Sequence, residues 1–459
     1  MSRLLLFSLM LPACGSTTAG FSAFSSRVHD DIGSLVTVSW TPSDSDVVVV
    51  EYSFDEGEWL SAPAQSVDGA VPAETLLLGI PYGVTVTWRA VGAELGESEA
   101  QSVTTAAVPK GLPEPTLVLS DPLQYHAASG YLLGSINADD VGWSGGDYWK
   151  FILDRKGRYV WAMETPDEHW SIFLRQSRDG TEILWDEATY WSSFSGDGED
   201  GQVHRMKIDG TITASVATPG LHHAFVELAD GRLAWGDASA DWFEDLVEYA
   251  PSGEIVTVWS CEDFLSALHV PEGTSEEEKW KYAYCESNTL YWHEETDTFL
   301  YSFYSSSSVL EIDHSGEVLW YAGGLHGGYE FATEADTFSW QHGVHYTDAG
   351  TLLLSSEASC ADLKQCPYGY ETVVYEYDVN HDAAVLETTW TFGAGGGVYG
   401  NTAGEAHRLD NGNTLHNYGA GSVVKEATAA GEEVWWVEWP YFHLLGRTTF
   451  IEDLYALAP

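Results

Sequence analysis

Short alternations of apolar and polar residues run through most of the chain, and this period of two predicts β-strands. Near the N-terminus three such runs occur, at 36–40, 47–54 and 84–91. They are rich in Val and Thr, which favour strands, and Trp40 at the end of the first run is predicted to fill a core. The pattern predicts that residues 21–109 form a small β-sandwich with a spacing or packing role rather than a catalytic one.

A proline-rich linker follows, and the remaining sequence repeats one pattern six times. In each copy an alternating strand leads through a turn, usually with Gly, into a second strand that often ends at Trp. The copies lie at 151–161, 206–212, 247–256, 310–320, 374–390 and 424–435. A lone hairpin cannot bury both of its faces, so repetition at about 45–65 residues predicts a β-propeller with six blades over residues 113–459. A pair of large β-sandwiches is the alternative.

A second kind of hairpin lies between these copies. Its turn places Gly beside Asp, Asn or Ala, and the Gly supplies the positive φ that a tight hairpin needs. Examples lie at 228–233, 347–352 and 409–415. We interpret these hairpins as the inner strand pairs of the blades.

Two histidines occupy the same position relative to the glycine of such a hairpin. His223 lies eight residues before Gly231, and His342 lies eight residues before Gly350. Equivalent positions of different blades converge at the axis of a propeller, so the shared offset predicts that both imidazoles face one central channel. The alternative for each is a hydrogen-bonded structural histidine. Two neighbouring histidines are candidates to join or support this site: His222 and His345.

The charge of the chain excludes some partners. The 459 residues include 70 Asp and Glu but only 19 Lys and Arg, which gives a formal net charge of −51. Long-range repulsion opposes binding to nucleic acid or to an anionic membrane surface. Hydrophobic residues make up 44% of the chain, which is enough core material to exclude disorder. The acidity therefore indicates a soluble surface, and it suits a salty medium in which screening limits self-repulsion.

The N-terminus has the features of an export signal. A basic residue precedes the apolar run 4–11, which is too short to span a bilayer. Residues 11–15 resemble a bacterial lipobox, in which the cysteine, here Cys14, becomes the lipidated first residue. Residues 1–13 are then a lipoprotein signal peptide and 14–20 a tether, so that a lipid anchors the protein in the cell envelope, in the outer membrane or the periplasm. The alternative is a chance cysteine beside an ordinary cleavage site.

Four further cysteines are expected to form two disulfides in an exported chain. Three pairings are possible, and the most economical are Cys261 with Cys285 and Cys360 with Cys366. A zinc site is the alternative, although the sequence has no C-x-x-C.

Other chemical motifs are weak. Residues 378–382 alternate oxygen ligands but lack the Gly and the distal Glu of an EF-hand loop, so we expect a hairpin turn there. The acidic loop 194–201 is expected to be solvated rather than bound to calcium. The sequence has no P-loop, dinucleotide fingerprint or G-x-S-x-G elbow. We therefore predict neither a metal nor a cofactor.

Several segments resemble the blade motifs of the bacterial arylsulfotransferases. They lie at 221–231, 286–291, 300–320, 341–345, 408–415 and 447–450. The resemblance covers roughly 140–459 and is more specific for the propeller than for activity. In addition, residues 21–109 resemble a fibronectin type III module, which is an Ig-like β-sandwich.

The resemblance implies a transferase activity. Members of that family move a sulfuryl group from an aryl sulfate to a phenol without a nucleotide donor. A channel histidine takes the group as a covalent intermediate, while other histidines and an arginine hold its oxygens. His223 and His342 are then the catalytic candidates, and a small aromatic sulfate or phenol is the expected partner. The candidates for supporting roles are His222, His345, Glu286, His407 and Arg447.

The sequence departs from the family pattern at three places. Gly404 stands eight residues before Gly412, where the pattern offers a histidine, and Glu286 stands where relatives place one. Residues 355–360 contain no arginine where the family supplies one. Three arginines elsewhere substitute for it only if the fold brings them inward: Arg232, Arg408 and Arg447.

These departures favour an alternative of another class, a propeller that has lost catalysis and binds a ligand or partner at the cell surface. A glycan-binding propeller, suggested by the 20 Trp residues, is a third possibility. Because many of these Trp residues end strands, we expect them in the core.

Overall fold

The computed structural model describes residues 20–55, 57–127, 129–138, 147–166, 169–187, 201–240, 243–360, 364, 366, 369–441 and 443–459. These residues form an all-β structure built almost entirely from antiparallel sheets, as the alternating pattern predicts. The predicted signal peptide, Cys14 and most of the loop at 194–201 lie outside the described residues.

Two sheets enclose a core in the N-terminal segment. Its strands are β1 (Phe21–Val28), β2 (Val36–Pro42), β3 (Asp46–Phe54), β4 (Leu60–Ser61), β5 (Gln65–Val67), β6 (Ala73–Leu77), β7 (Thr85–Gly92), β8 (Gly96–Glu97) and β9 (Gln101–Thr104). One sheet has the order β1-β2-β6, and in the other β3 and β7 lie at the centre. The three predicted runs coincide with β2, β3 and β7. Trp40 and Trp88 are fully buried in this core, as expected for Trp40.

The rest of the chain contributes six further sheets. Their strands are β10 (Thr116–Ser120), β11 (Tyr131–Asn137), β12 (Tyr148–Asp154), β13 (Tyr159–Glu164), β14 (Leu174–Gln176), β15 (Ile183–Glu187), β16 (Gln202–Met206), β17 (Ile212–Ala217), β18 (Leu221–Glu227), β19 (Leu233–Ala240), β20 (Phe243–Tyr249), β21 (Ile255–Trp259), β22 (Ser287–His293), β23 (Thr298–Phe303), β24 (Ser308–Asp313), β25 (Val318–Gly323), β26 (Glu330–Phe331), β27 (His342–Tyr346), β28 (Leu352–Ser359), β29 (Tyr370–Asn380), β30 (Val385–Phe392), β31 (Glu405–Arg408), β32 (Thr414–Asn417), β33 (Val423–Ala427), β34 (Glu433–Glu438) and β35 (Leu445–Ile451).

Each of these six sheets contains one run of four antiparallel strands. Five runs are continuous in sequence: β14 to β17, β18 to β21, β22 to β25, β27 to β30 and β31 to β34. The run β27 to β30 gains the short strand β26, which pairs with β30 in parallel. The six repeated segments of the sequence form the third and fourth strands of these sheets, for example β12–β13 and β33–β34. The tight turns of the inner hairpins have the expected positive φ, 82° at Gly231 and 85° at Gly412.

The two ends of this repeating part interlock. The late strand β35 pairs with the early strand β11 and completes the sheet β35-β11-β12-β13. The early strand β10 pairs with the late strand β34 and extends the sheet of β31 to β34. Both pairings tie residues far apart in sequence, so backbone hydrogen bonds join the beginning of the repeating part to its end.

Buried tryptophans within the strands join neighbouring segments. Trp161, Trp185, Trp235 and Trp435 are buried, which agrees with the core position expected for them. The indole nitrogen of Trp161 donates to the Ile208 carbonyl at 2.7 Å, and that of Trp435 donates to the Arg155 carbonyl at 2.9 Å. The rings of Trp161 and Trp435 thus contribute apolar area while their N–H groups find partners in other elements.

The connection between β21 and β22 contains helices α1 (Cys261–Ala267) and α2 (Glu276–Lys279) with a short 3₁₀ turn at Trp280–Tyr282. Other 3₁₀ turns lie at Glu334–Asp336, Gly419–Gly421 and Leu454–Leu457. Within the described residues, no helix has both the length and the apolar composition needed to cross a bilayer.

Both predicted disulfides are confirmed. Cys261 pairs with Cys285 and Cys360 pairs with Cys366, so these sulfurs are not available as zinc ligands. Residues 378–380 end strand β29 and residues 381–382 begin the turn to β30, where the Asn380 side chain accepts a hydrogen bond from the Ala383 amide at 3.0 Å.

Candidate functional site

One edge strand from each of the six sheets lies beside a shared central space. These inner strands are β14, β18, β22, β27, β31 and β35. Residues on or next to them line a small cavity of about 10 Å³, which we call the His cavity. Its lining includes Phe173, His223, Asn288, His342, Thr402 and Arg447. Side chains distant in sequence therefore converge on one point.

His223 sits in a β-bulge of strand β18. The pairing with β19 shifts register between Leu221 and Phe225, and His223 has a positive φ of 61°. A bulge redirects a side chain out of the regular ladder, and a positive φ is uncommon for histidine. Nδ1 donates to the Ser287 carbonyl at 2.9 Å, so the neutral ring carries its lone pair on Nε2. Burial lowers the pKa of His223 well below its usual value, and the neighbouring charge of His222 lowers it further.

His342 sits at a similar irregularity in β27. The pairing with β28 shifts register between His342 and His345, and Gly343 has a φ of 65°. A side chain at Gly343 would collide with Glu405, so the close approach of two inner strands requires glycine here. The Nδ1 of His342 donates to the Trp340 carbonyl at 3.0 Å, which again leaves the lone pair on Nε2. Burial, with the Arg447 charge, lowers the pKa of His342 to about 3.

His222 supports the wall behind His223. The two imidazole centroids are 3.9 Å apart, and His222 Nδ1 lies 3.0 Å from a carboxylate oxygen of the fully buried Glu244. Glu244 also accepts the Ser287 amide at 2.7 Å. One buried carboxylate therefore fixes both His222 and the strand whose carbonyl orients His223.

Arg447 supplies the cation of the His cavity. Its side chain is buried, and Nη1 donates to the Gly404 carbonyl at 2.7 Å. Nη2 donates to the Asn288 carbonyl at 2.7 Å and to Thr289 Oγ1 at 2.9 Å. The nearest carboxylate, that of Glu405, is 3.6 Å from Nη1. Of the three arginines considered from sequence, this one faces inward; Arg408 pairs with Glu376 and Arg232 with Asp230.

Gly404 does not line the His cavity. A Cβ at this position would lie 3.0 Å from Ser355 Oγ, which itself lies 3.0 Å from His416 Nε2. His416 is fully buried, and this burial, with the Lys425 charge, lowers its pKa to about 3. The missing histidine of the family pattern is thus not replaced within the cavity by His416.

An aromatic rim borders His342; we define it as Tyr304, Trp340, Tyr370 and Tyr399. The Tyr304 ring lies 5.8 Å from the His342 ring and stacks on Trp340 at 6.3 Å. Glu357 accepts a hydrogen bond from the Tyr399 hydroxyl at 3.2 Å, and burial raises the pKa of Glu357 to about 7. Glu286, which follows Cys285 just before β22, is half-buried, and burial raises its pKa.

A second, larger cavity lies further along the inner strands. This Arg cavity has a volume of about 280 Å³, and its lining includes Arg175, Thr289, Tyr291, His345, His407 and Arg447. His345 Nδ1 donates to the Gly343 carbonyl at 3.1 Å, and burial lowers the pKa of His345 to about 4. His407 Nε2 lies 3.1 Å from a Glu405 carboxylate oxygen. Burial by itself would raise the pKa of Glu405, but His407, Arg447 and the Thr448 amide together lower it to about 2.

The structure divides the residues singled out from sequence into three groups. His223, His342 and Arg447 meet at the His cavity, while His345 and His407 line the Arg cavity. His222 stands behind His223, and His222 and Glu286 interact electrostatically.

Sequence reasoning missed three residues of the site: Arg175, Glu244 and Glu405. Arg175 and Glu244 lie in strands with no distinctive motif around them. Glu405 carried a weak signal, because it lies two residues before His407 and so shares its face of β31.

A sequence profile described as arylsulfotransferase (ASST) matches residues 202–439. This range includes both histidines of the His cavity and ends before Arg447. No curated protein sequence matches the chain.

Solved structures resemble the chain only distantly. A protein of unknown function from Bacteroides caccae is 16% identical, covers 71% of this chain and 100% of its own, and gives a TM-score of 0.44. A streptogramin B lyase is 12% identical, with coverages of 71% and 100% and a TM-score of 0.37. Virginiamycin B lyase from Staphylococcus aureus is 9% identical, with coverages of 93% and 97% and a TM-score of 0.35.

Proposed function

Because the chain belongs to the arylsulfotransferase family, we propose that it moves a sulfuryl group from an aryl sulfate to a phenolic acceptor through a histidine of the His cavity. The observation that supports this proposal is the convergence of His223, His342 and Arg447 on one buried space. Two neutral imidazoles and one fixed cation suit the transfer of a group whose oxygens carry negative charge.

In the proposed first step, Nε2 of His342 attacks the sulfur atom. The N–S bond forms as the bond between sulfur and the aryl oxygen breaks, and a phenolate leaves. The hydrogen bond from Nδ1 to Trp340 keeps the lone pair on Nε2, and the lowered pKa keeps the ring neutral at physiological pH.

In the second step the acceptor phenol oxygen attacks sulfur, and the N–S bond breaks to restore neutral His342. The phenolic proton passes to Nε2 of His223, which returns it to the phenolate that leaves in the next cycle. His222 and Glu244 hold His223 in position for this exchange.

Arg447 stabilises the charge on the sulfuryl oxygens. Its three hydrogen bonds to Gly404, Asn288 and Thr289 fix the guanidinium before the substrate arrives. A preorganised charge of this kind stabilises a transition state without reorganisation during the reaction. The cavity has room for about one water molecule, so the aromatic part of the substrate must lie outside it, against Tyr304 and Trp340 of the rim.

We also propose the finer architecture expected from sequence. The six sheets are the blades of a six-bladed propeller over residues 113–459, and residues 21–109 form a fibronectin type III-like module. The disulfides and the family are consistent with an exported protein. With cleavage after residue 13 and lipidation of Cys14, the protein would belong to the cell envelope, in the outer membrane or the periplasm.

One observation favours a second function, binding without catalysis. Gly404 provides no side chain where the family pattern has a histidine, and His416 beside it does not reach the His cavity. In this alternative the channel retains its charge and shape and binds a ligand or partner at the cell surface.

The test is a transfer assay with purified protein, 4-nitrophenyl sulfate as donor and a phenol as acceptor. We expect 4-nitrophenol release that depends on acceptor and is lost in His342→Ala. Mass spectrometry of acid-labile peptides after rapid quenching should find one sulfuryl group on the peptide that contains His342. The control variant is His381→Ala, since His381 is exposed at a turn outside both cavities.

Two results would contradict the proposal. A folded protein that turns over none of several aryl sulfates would favour the binding function. Turnover that survives in His342→Ala but is lost in His223→Ala would reverse the roles of the two histidines.

A further inference from the structure

Arg175 lies at the wall of the Arg cavity. Within the described part of the chain, its guanidinium forms neither an ion pair nor a hydrogen bond. Eight other described arginines each lie within 4.0 Å of a carboxylate. The chain has 70 acidic residues, and charges that line a cavity are usually paired. An arginine that lacks an ion pair among the described residues therefore indicates a position for a ligand.

The carboxylates nearest to Arg175 are already occupied. Glu227 accepts from Arg205 and, at 2.8 Å, from the Arg178 amide. Glu405 accepts from the Thr448 amide and lies 3.1 Å from His407. These groups moderate the charge of Arg175 without pairing with it, so among the described residues its N–H donors have no acceptor.

Aromatic rings line the Arg cavity. Tyr291 and His345 have ring centroids 5.8 Å apart, and His345 and His407 have centroids 5.3 Å apart. The Arg175 guanidinium carbon lies 5.3 Å from the centroid of the Phe225 ring, which is a cation–π contact. The Arg cavity itself, at about 280 Å³, has room for a one- or two-ring compound.

We propose that the Arg cavity binds a small aromatic monoanion, with its sulfonate or carboxylate on Arg175 and its ring beside Tyr291, His345 and His407. Among the side chains that line the Arg cavity, Arg175 and Arg447 are cations and Glu405, 3.1 Å from His407, is the anion. A monoanion neutralises the remaining positive charge. This site goes beyond the proposed transfer reaction, because it lies past Arg447 from the two histidines of the His cavity.

The test uses 2-naphthalenesulfonate, whose sulfur is bonded to carbon and which therefore cannot donate a sulfuryl group. Isothermal titration with the wild-type protein should show one binding site. Arg175→Gln should weaken binding by about 10- to 100-fold, the usual effect of losing hydrogen bonds to a charged group. Arg175→Lys should give an intermediate value, because it keeps the charge but loses the fork. Arg232→Gln, which changes an arginine already paired with Asp230, is the matched control.

Further arms separate the possible ligands and sites. Neutral 2-naphthol and inorganic sulfate should each bind far more weakly than the sulfonate, and 2-naphthoate should bind comparably. Equal affinity for inorganic sulfate would overturn the aromatic part of the proposal. Equal affinity of wild type and both Arg175 variants would overturn the site itself, and so would loss of binding in His342→Ala.

The result is independent of the transfer assay. The sulfonate measures binding only, and His342→Ala should abolish transfer while it leaves sulfonate affinity unchanged. If transfer is absent altogether, the Arg cavity is still tested by titration. Thermal unfolding of each variant, with and without ligand, shows whether a loss of binding comes from a loss of folding.

Discussion

The two cavities between the inner strands differ in how their polar groups are satisfied. In the His cavity both imidazoles donate to backbone carbonyls and Arg447 makes three hydrogen bonds, so the groups are fixed and the space is about 10 Å³. In the Arg cavity, Arg175 has no hydrogen-bond or ion-pair partner among the described residues, and the cavity volume is about 280 Å³. A tight, prearranged site suits the stabilisation of a transition state, whereas a roomy site with an unused donor suits the binding of a ligand.

One arginine, Arg447, contributes its charge to both cavities. Arg447 lines both cavities and lies within 4.0 Å of Glu405, which faces only the larger one. The cavities are thus separate in volume but share a charge. Substitutions on either side of Arg447 should affect one cavity, and a substitution of Arg447 itself should affect both.

The largest effect is expected for His342→Ala. Removal of a covalent nucleophile should lower the rate of sulfuryl transfer by on the order of a thousandfold or more. Binding of 2-naphthalenesulfonate should not change. A parallel loss of both properties, in a protein that unfolds at the wild-type temperature, would show that the two cavities are one site.

Arg447→Gln should affect both cavities. Loss of one preorganised donor to developing charge should lower transfer by about 100- to 1,000-fold. Sulfonate binding should also weaken, since the positive charge of the Arg cavity falls. Glu405 loses a counterion, so the urea midpoint should fall as well. Retention of full sulfonate affinity would place the ligand away from Arg447.

Replacing one aromatic residue at each cavity should affect only the function of that cavity, and the effects should be smaller. Tyr304→Leu removes a ring from the rim beside His342 and should raise the KM for aryl substrates by about 2- to 10-fold, with sulfonate binding unchanged. Tyr291→Leu should do the opposite and weaken the sulfonate by a similar factor, with transfer unchanged. If both variants alter both readouts, aromatic substrates reach the histidines through the Arg cavity.

The smallest effect is a difference in the pH dependence of stability. The pKa of His342 is lowered from 6.5 to about 3, so between these pH values the unfolded chain binds a proton that the folded chain does not bind. The contribution of His342 to the free energy of unfolding is therefore complete above pH 6.5 and is lost as the pH falls toward 3. The pKa of Glu405 is lowered from 4.5 to about 2, so its contribution is lost only below pH 4.5. Urea midpoints measured from pH 8 to pH 3 should show a flatter slope between pH 6.5 and 4.5 for His342→Gln. Glu405→Gln should change the slope only at lower pH, and the reverse order would contradict these assignments.

The sequence alone determined most of the local structure. Alternation predicted the strands, and the turns around Gly231 and Gly412 predicted hairpins, because period and turn residues act within a few positions of the chain. His223 and His342 lie at the same offset from the glycine of their hairpins, and this offset predicted that both side chains face one central space. The prediction works because residues at equivalent positions of repeated units occupy equivalent positions in the fold.

Only the tertiary structure decided which of the other polar residues belong together. Arg408 and Arg447 both follow strand-like patterns in sequence, yet one pairs with Glu376 and the other is buried among six inner strands. Arg175 became a candidate for ligand binding only because no carboxylate among the described residues forms an ion pair with it. Such properties depend on distances between strands of different sheets, which no local pattern encodes, because the electrostatic and packing terms arise only after the sheets have closed around a common space.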